Sequence, residues 1–92
     1  NLMRLKGVLW NSRNIEHIAR HNVTPDEVEE VLFEDAPHFR RHGEIFYAFG
    51  RTQSGRYLFI VFRITAAREA IIITARNMTK RERQYYRKVM RR

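Results

Sequence analysis

The chain has 92 residues, enough for one hydrophobic core and too few for two. Its 43% hydrophobic and 12% aromatic content is that of an ordinary globular domain and excludes disorder throughout. A formal charge of +8 rests on 15 arginines and only three lysines, and the absence of cysteine excludes a disulfide scaffold and thiolate chemistry. Lysine would serve solubility equally well, whereas the planar guanidinium fork suits phosphate and carboxylate. The bias therefore points toward an anionic polymer or an acidic protein partner, although a GC-rich genome gives the same bias without function. No apolar run approaches the roughly 20 residues of a membrane span, and no signal-peptide pattern is visible. Asn1 in place of Met is what a processed or trimmed start gives, and a cytoplasmic location is expected.

Taken in chain order, "LKGVLW" (5–10) is short and apolar and suits an edge strand. "NIEHIARH" (14–21) puts Ile15, Ile18 and Ala19 on one helical face, and Asn22 tolerates the left-handed conformation that ends helices. Thr24, Pro25 and Glu27 form a capping box with proline at the first helical position. The helix they open runs to about Glu34 and buries Val28, Val31 and Leu32. Residues 24–35 hold six carboxylates and no cation, and those of the first turn suit the positive end of the helix dipole. They make this helix a poor surface for an anion, so it is expected to face away from any anion site.

Beyond Pro37 the pattern changes. "EIFYAFGRT" (44–52) and "RYLFIVFRI" (56–64) are aromatic and β-branched, and "TQSG" between them, with Gly55 able to take a positive φ, predicts a hairpin. "AIIITAR" (70–76) predicts a further strand, and "HFRRH" (38–42) one more. Thr79 and Glu82 form a second capping box, opening a helix from Lys80 to about Met90. The whole chain, 1–92, reads as one α+β domain: two N-terminal helices, an antiparallel sheet of three to four strands, and a C-terminal helix.

Several residues qualify for chemistry. His17 and His21 share a helical face as zinc ligands can, but no third ligand has a convincing spacing, and no metal is expected. Strict alternation from Ile71 places Ile71, Ile73 and Ala75 on one face and Ile72, Thr74 and Arg76 on the other. Arg76 then leaves the sheet beside the last helix, while Arg51 and Arg56 flank the hairpin turn and Arg63 sits at the far end. Arginines at strand ends also serve simply as solvated punctuation. Glu82, Tyr85, Tyr86, Val89 and Met90 form one stripe of the last helix, apolar members toward the core. Glu82 can complete the cap, pair with Arg76, or act as an acid or base. Tyrosines among arginines suit unstacked RNA bases. RNA also carries its own nucleophile, the 2′-hydroxyl, so guanidinium groups that stabilise the pentacoordinate phosphate can cleave it without a metal or other cofactor. His21, Glu82 or a tyrosine are candidate proton acceptors.

The ordered motifs "LW", "NIEHIARHNV", "TPDEVEEVLF", "GRTQSGRYLFIV" and "IIITARNMTKRERQYY" resemble BrnT-type toxins of bacterial type II toxin–antitoxin operons, from about Leu9 to Tyr86. The most specific pieces are the hairpin with Gly50, Arg51, Gly55 and Arg56, and the I-T-A-R…E-R-x-x-Y segment. The resemblance implies a RelE-like fold, RNA cleavage that arrests translation, and a hetero-oligomer with an antitoxin carrying a ribbon-helix-helix part. Carried over by motif, it implies Arg51, Arg56 and Arg76 on the active surface, with Glu82, Arg83 and Tyr86 nearby and His21 matching the family's histidine. Together with the reading of the residues, this makes Arg76, Glu82, Tyr86 and His21 the catalytic candidates and Arg51, Arg56, Arg63, Arg83 and Lys80 the candidate RNA contacts. Arg20-His21-Asn22-Val23 departs from the family's K/R-H-G-V element, with Asn in place of Gly. A non-catalytic nucleic-acid-binding module, or a degenerate toxin kept as a partner-binding subunit, is the competing expectation.

Overall fold

The runs between His38 and Asn77 pair as a meander of four antiparallel strands: β2 (His38–His42), β3 (Ile45–Arg51), β4 (Tyr57–Ile64) and β5 (Glu69–Asn77). A two-residue strand, β1 (Gly7–Val8), joins β5 in parallel, so the sheet order is β1-β5-β4-β3-β2. The computed structural model describes residues 4–91. Five strands replace the expected three to four, and the parallel β1 makes one edge mixed. Both weak runs, 5–10 and 38–42, do form strands.

Helix α1 (Ser12–Ala19) begins two residues earlier than its apolar face suggests, because the Asn11 side chain caps it by accepting from Asn14 N–H. Asn22 sits at φ 59 just beyond its end, the left-handed conformation expected of it. Helix α2 (Pro25–Glu29) carries the full Thr24–Glu27 capping box and continues as a π-helical turn, Glu30–Glu34. Asp35 N–H closes that turn by donating to Glu30 O at 2.9 Å. The widened turn brings Asp35 against β3, where its carboxylate accepts from Arg51 N–H at 2.9 Å.

One sheet face meets α1 and α2. Ala48, Leu58, Ile60, Phe62, Ile72 and Ala75 pack there with Ile18, Val23, Val28 and Val31 as the main core, all fully or nearly fully buried. Each large side chain of this set contributes about 1.5–3 kcal/mol by leaving water. Gly50 permits the approach: a Cβ there would lie 2.5 Å from Val31 Cγ1 and 2.9 Å from Asp35 Oδ2. The opposite face meets α3 (Lys80–Met90) through a smaller cluster of Phe49, Met78 and Tyr86, edged by Tyr47, Tyr57, Phe59 and Tyr85.

Strict alternation along β5 fails at one place. Val61 pairs with Thr74 but Phe62 with Ile72, so Ile73 is an extra residue and the phase flips across it. Ile72 and Ala75 therefore share the main-core face, while Ile71 and Ile73 stand exposed. Arg76, which follows the bulge and pairs across to Phe59, stands on the face away from Ile72, not on Ile72's face as strict alternation predicts. Met90, expected in the core, is also exposed, as the last residue of α3.

Candidate functional site

Two local rules fix the centre of the site. The first is the capping box of α3, in which Glu82 N–H donates to Thr79 Oγ1 at 3.1 Å and Thr79 N–H donates to Glu82 Oε1 at 2.8 Å. The second is the register that places Arg76 beside Phe59, its guanidinium 4.5 Å from the ring centroid. The cap and the strand meet in a bidentate ion pair, Arg76 Nη1 to Glu82 Oε1 at 2.8 Å and Nη2 to Oε2 at 3.0 Å. Glu82 thus caps the helix and pairs with Arg76 at once. The Arg76 hydrogen bonds hold the Glu82 carboxyl below its ordinary range, and Glu82 in turn raises Arg76.

The arginine is oriented rather than exhausted. Nη1 also donates to Asn77 O at 3.0 Å, so three of the five guanidinium N–H groups are engaged. The Nε–H and the second Nη2–H are left, which together form the side-on fork that matches two oxygens of a phosphate. Beside the pair lies a groove of about 400 Å³ lined by Arg40, Arg41, His42, Tyr47, Phe49, Phe59 and Glu82. Tyr85 stands at its rim, its hydroxyl 2.9 Å from His38 Nε2 and its ring 5.5 Å from the Arg40 guanidinium.

The other sequence-derived candidates divide. Arg56 is spent on structure: Nη1 donates to Asn22 O at 2.6 Å and to both Glu27 oxygens, and Nη2 to Asn77 Oδ1 at 2.9 Å. It ties the α1–α2 turn to the sheet end. Tyr86, expected at the site, lies under α3 at 8% exposure, edge-on to Tyr57, and burial raises its phenol above the ordinary 10.0. Tyr85 faces the groove in its place. His21 lies in the turn just after α1, a helix whose Ile18 belongs to the main core across the sheet, and its ring meets His17 edge-to-face at 5.8 Å. Among the described residues no contact joins His21 to Arg76 or Glu82, and no third ligand joins the two histidines. Arg63 is exposed four residues along β4 from Phe59, about 13 Å at strand rise. Lys80 is exposed on the first turn of α3.

Arg51 and Arg83 come together on the other flank of α3. Their guanidinium carbons lie 5.1 and 4.6 Å from the Tyr57 ring centroid, and Arg87 joins them at 5.5 Å. A hydrogen bond from Arg87, with the neighbouring guanidinium charges, holds the Tyr57 phenol below its ordinary 10.0. Sequence reasoning missed His38, Arg40, Tyr57 and Arg87. Cross-strand register would have found Arg40, which pairs with Tyr47, but nothing local marks the others.

The acidic α2 segment packs on the main-core face, away from this groove, as expected. Its far end alone reaches round: Glu30, Glu34 and Asp35 line a cavity of about 290 Å³ with Arg51, Thr52 and Gln53. No helix among the described residues is long and apolar enough to cross a membrane.

The arrangement of elements is found in a solved structure. The crystal structure of the Brucella abortus ribonuclease toxin BrnT matches this chain with a TM-score of 0.63, over 80% of this chain and 97% of that one. The fold is that of BrnT. Identity across the match is 14%, so the likeness carries the fold alone. No protein-family model matches the sequence, and no curated protein matches it. On the BrnT fold, the Arg76–Glu82 pair and the groove beside it stand on this chain's own residues.

Proposed function

We propose that this chain is an endoribonuclease toxin of a type II toxin–antitoxin pair, cleaving RNA by a route that needs no metal and so arresting translation. The observation that carries the reading is the half-used Arg76 guanidinium, fixed by Glu82 and Phe59 beside a groove lined by arginine and aromatic side chains. Its free fork takes two non-bridging oxygens of the scissile phosphate. The RNA's own 2′-oxygen attacks phosphorus, the bond to the 5′-oxygen breaks, and the products are a 2′,3′-cyclic phosphate and a 5′-hydroxyl. Negative charge grows on the non-bridging oxygens in the transition state, where a pre-oriented cation acts without reorganising. Glu82, held ionised by Arg76, is a weak base and serves as the orienting group. Tyr86 keeps its proton at neutral pH. Proton transfer falls to the His38–Tyr85 pair at the rim, imidazole being the side chain best matched to neutral pH. Tyr47 and Arg40 flank the bound strand.

An antitoxin partner of ribbon-helix-helix type, in a cytoplasmic setting, belongs to the same proposal; the toxin fold supports an antitoxin partner, and the +8 charge suits an acidic protein surface. One observation favours a second reading, a nucleic-acid-binding module without catalysis: Arg76 already holds a counter-ion. A cleavage assay with single-stranded RNA in chelator-containing buffer separates the two. Cleavage lost in Arg76→Ala supports the enzyme, whereas binding without cleavage by the unmodified chain supports the module.

A further inference from the structure

Arg51, Arg83 and Arg87 converge on one tyrosine ring from two elements, the β3–β4 hairpin and α3. Three like charges brought together repel, and among the described residues none of the three has a carboxylate within 4.0 Å; the ion pairs there are Arg56–Glu27 and Arg76–Glu82. Glu30, Glu34 and Asp35 share a cavity with Arg51, but none forms an ion pair with its guanidinium, and Asp35 Oδ2 accepts the Arg51 backbone N–H instead. Arg83 Nε is buried with no hydrogen-bond partner, and its guanidinium lies over the Tyr57 ring. The Tyr57 phenol is lowered first by a hydrogen bond from Arg87 and then by the charges of Arg51, Arg87 and Arg83, which fits the positive character of the cluster. A cluster of this kind is stabilised when an anion supplies the missing charge.

We propose that Tyr57, Arg51, Arg83 and Arg87 form a second phosphate subsite, distinct from the Arg76 groove, which binds a backbone phosphate of the same RNA strand. Its choice of ligand rests on the ribonuclease reading above. The geometry separates the two sites: Glu82 and Arg83 are consecutive on α3 and reach opposite flanks, toward Arg76 and Tyr57 respectively. Tyr57 and Phe59 alternate onto the same sheet face, about 7 Å apart along β4. A strand engaging both sites passes the first turn of α3, where Lys80 is exposed. Guanidinium groups occupy the surroundings of the Tyr57 ring, so the subsite reads phosphate charge rather than a stacked base, and it positions the strand without sequence preference.

The test uses the full chain and a fluorescent single-stranded oligonucleotide with 2′-deoxy sugars, which lacks the nucleophile and cannot be cut. Affinity is followed against salt concentration by fluorescence anisotropy. Loss of one phosphate contact lowers the slope of log affinity against log salt by about 0.7 for a single strand. Arg83→Gln/Arg87→Gln should show that drop, and Arg13→Gln, exposed on α1 across the sheet, should not. Because Arg83 is partly buried, Arg87→Gln alone, at an exposed position, repeats the test where folding is not at risk. A wild-type slope in these variants, or an equal drop in Arg13→Gln, overturns the proposal. So does loss of binding to a glutamate-rich peptide with oligonucleotide binding intact, which would make the cluster a protein-docking site. The slope loss in a chain that fails to cut RNA sinks the enzyme reading and leaves the subsite; cleavage with an insensitive slope does the reverse.

Discussion

Replacing Glu82 with Gln removes one charge while keeping the shape and an oxygen that still accepts Thr79 N–H, so most of the helix cap survives. What is lost is the charge-assisted part of the two bonds to Arg76, at 2.8 and 3.0 Å. Hydrogen bonds to charged groups contribute about 1.5–3 kcal/mol. The Arg76 and Glu82 side chains are 33% and 22% exposed, and solvent screening lowers the pair to about 1–2 kcal/mol. With a urea slope of about 1–1.5 kcal/mol per molar, the unfolding midpoint at neutral pH should fall by about 1 M. The pH dependence gives the sign. The folded carboxyl titrates below its ordinary 4.5, so its contribution is complete above that value and is lost as pH falls through the folded pKa. The gap between wild type and Glu82→Gln should therefore close steadily below about pH 4.5. Urea melts followed by circular dichroism across that range decide it. Equal midpoints at neutral pH, or a gap that persists unchanged in acid, would refute the pairing. In the RNA assay the same variant should lose rate by about tenfold or more with little change in KM, as expected when an orienting contact goes.

Other expectations follow from the same geometry. Gly50→Ala should cost about 1–3 kcal/mol by denaturant titration, because its Cβ enters the space of Val31 and Asp35. Arg56→Ala should destabilise the fold by about 1–3 kcal/mol, leaving Glu27 and Asn22 O unanswered, yet folded protein at low temperature should cut RNA at the wild-type rate; a rate loss without destabilisation would return Arg56 to the active surface. Phe62→Ala, at a fully buried position, should cost about 3–5 kcal/mol and abolish cooperative melting before it affects the site. Tyr85→Phe, which breaks the contact with His38, should lower the cleavage rate by about tenfold or more with little loss of stability, whereas Tyr86→Phe should change stability more than rate.

The elements that local chemistry dictates were legible from the chain. Thr24–Glu27 and Thr79–Glu82 start helices wherever they fall, and Gly55 at φ 98 and Asn22 at φ 59 occupy the conformations their side chains permit. What escaped was set by pairing across the sheet. The extra residue Ile73 reverses the alternation of β5, and no run of isoleucines announces a bulge. Arg76 could be placed because it is near in sequence to both its partners, Glu82 and Asn77. His38 and Tyr85 are 47 residues apart, and only the β2–α3 packing joins them. Arg56 looked like a phosphate ligand until Glu27 and Asn77 were brought to it from 29 and 21 residues away. Tyr86 and Tyr85 are neighbours on one helix, and the sheet beneath decides which is core and which faces the groove.

The central claim is that Arg76 stabilises an RNA phosphate under attack by the strand's own 2′-oxygen. Its most direct measurement is incubation of a defined single-stranded RNA with wild type, Arg76→Lys and Arg76→Ala in chelator-containing buffer, with product ends identified by mass spectrometry. Wild type should yield 2′,3′-cyclic phosphate and 5′-hydroxyl ends, Arg76→Lys a much reduced amount, and Arg76→Ala none above background. Products ending in a 5′-phosphate, or undiminished cleavage by Arg76→Ala, would contradict the account.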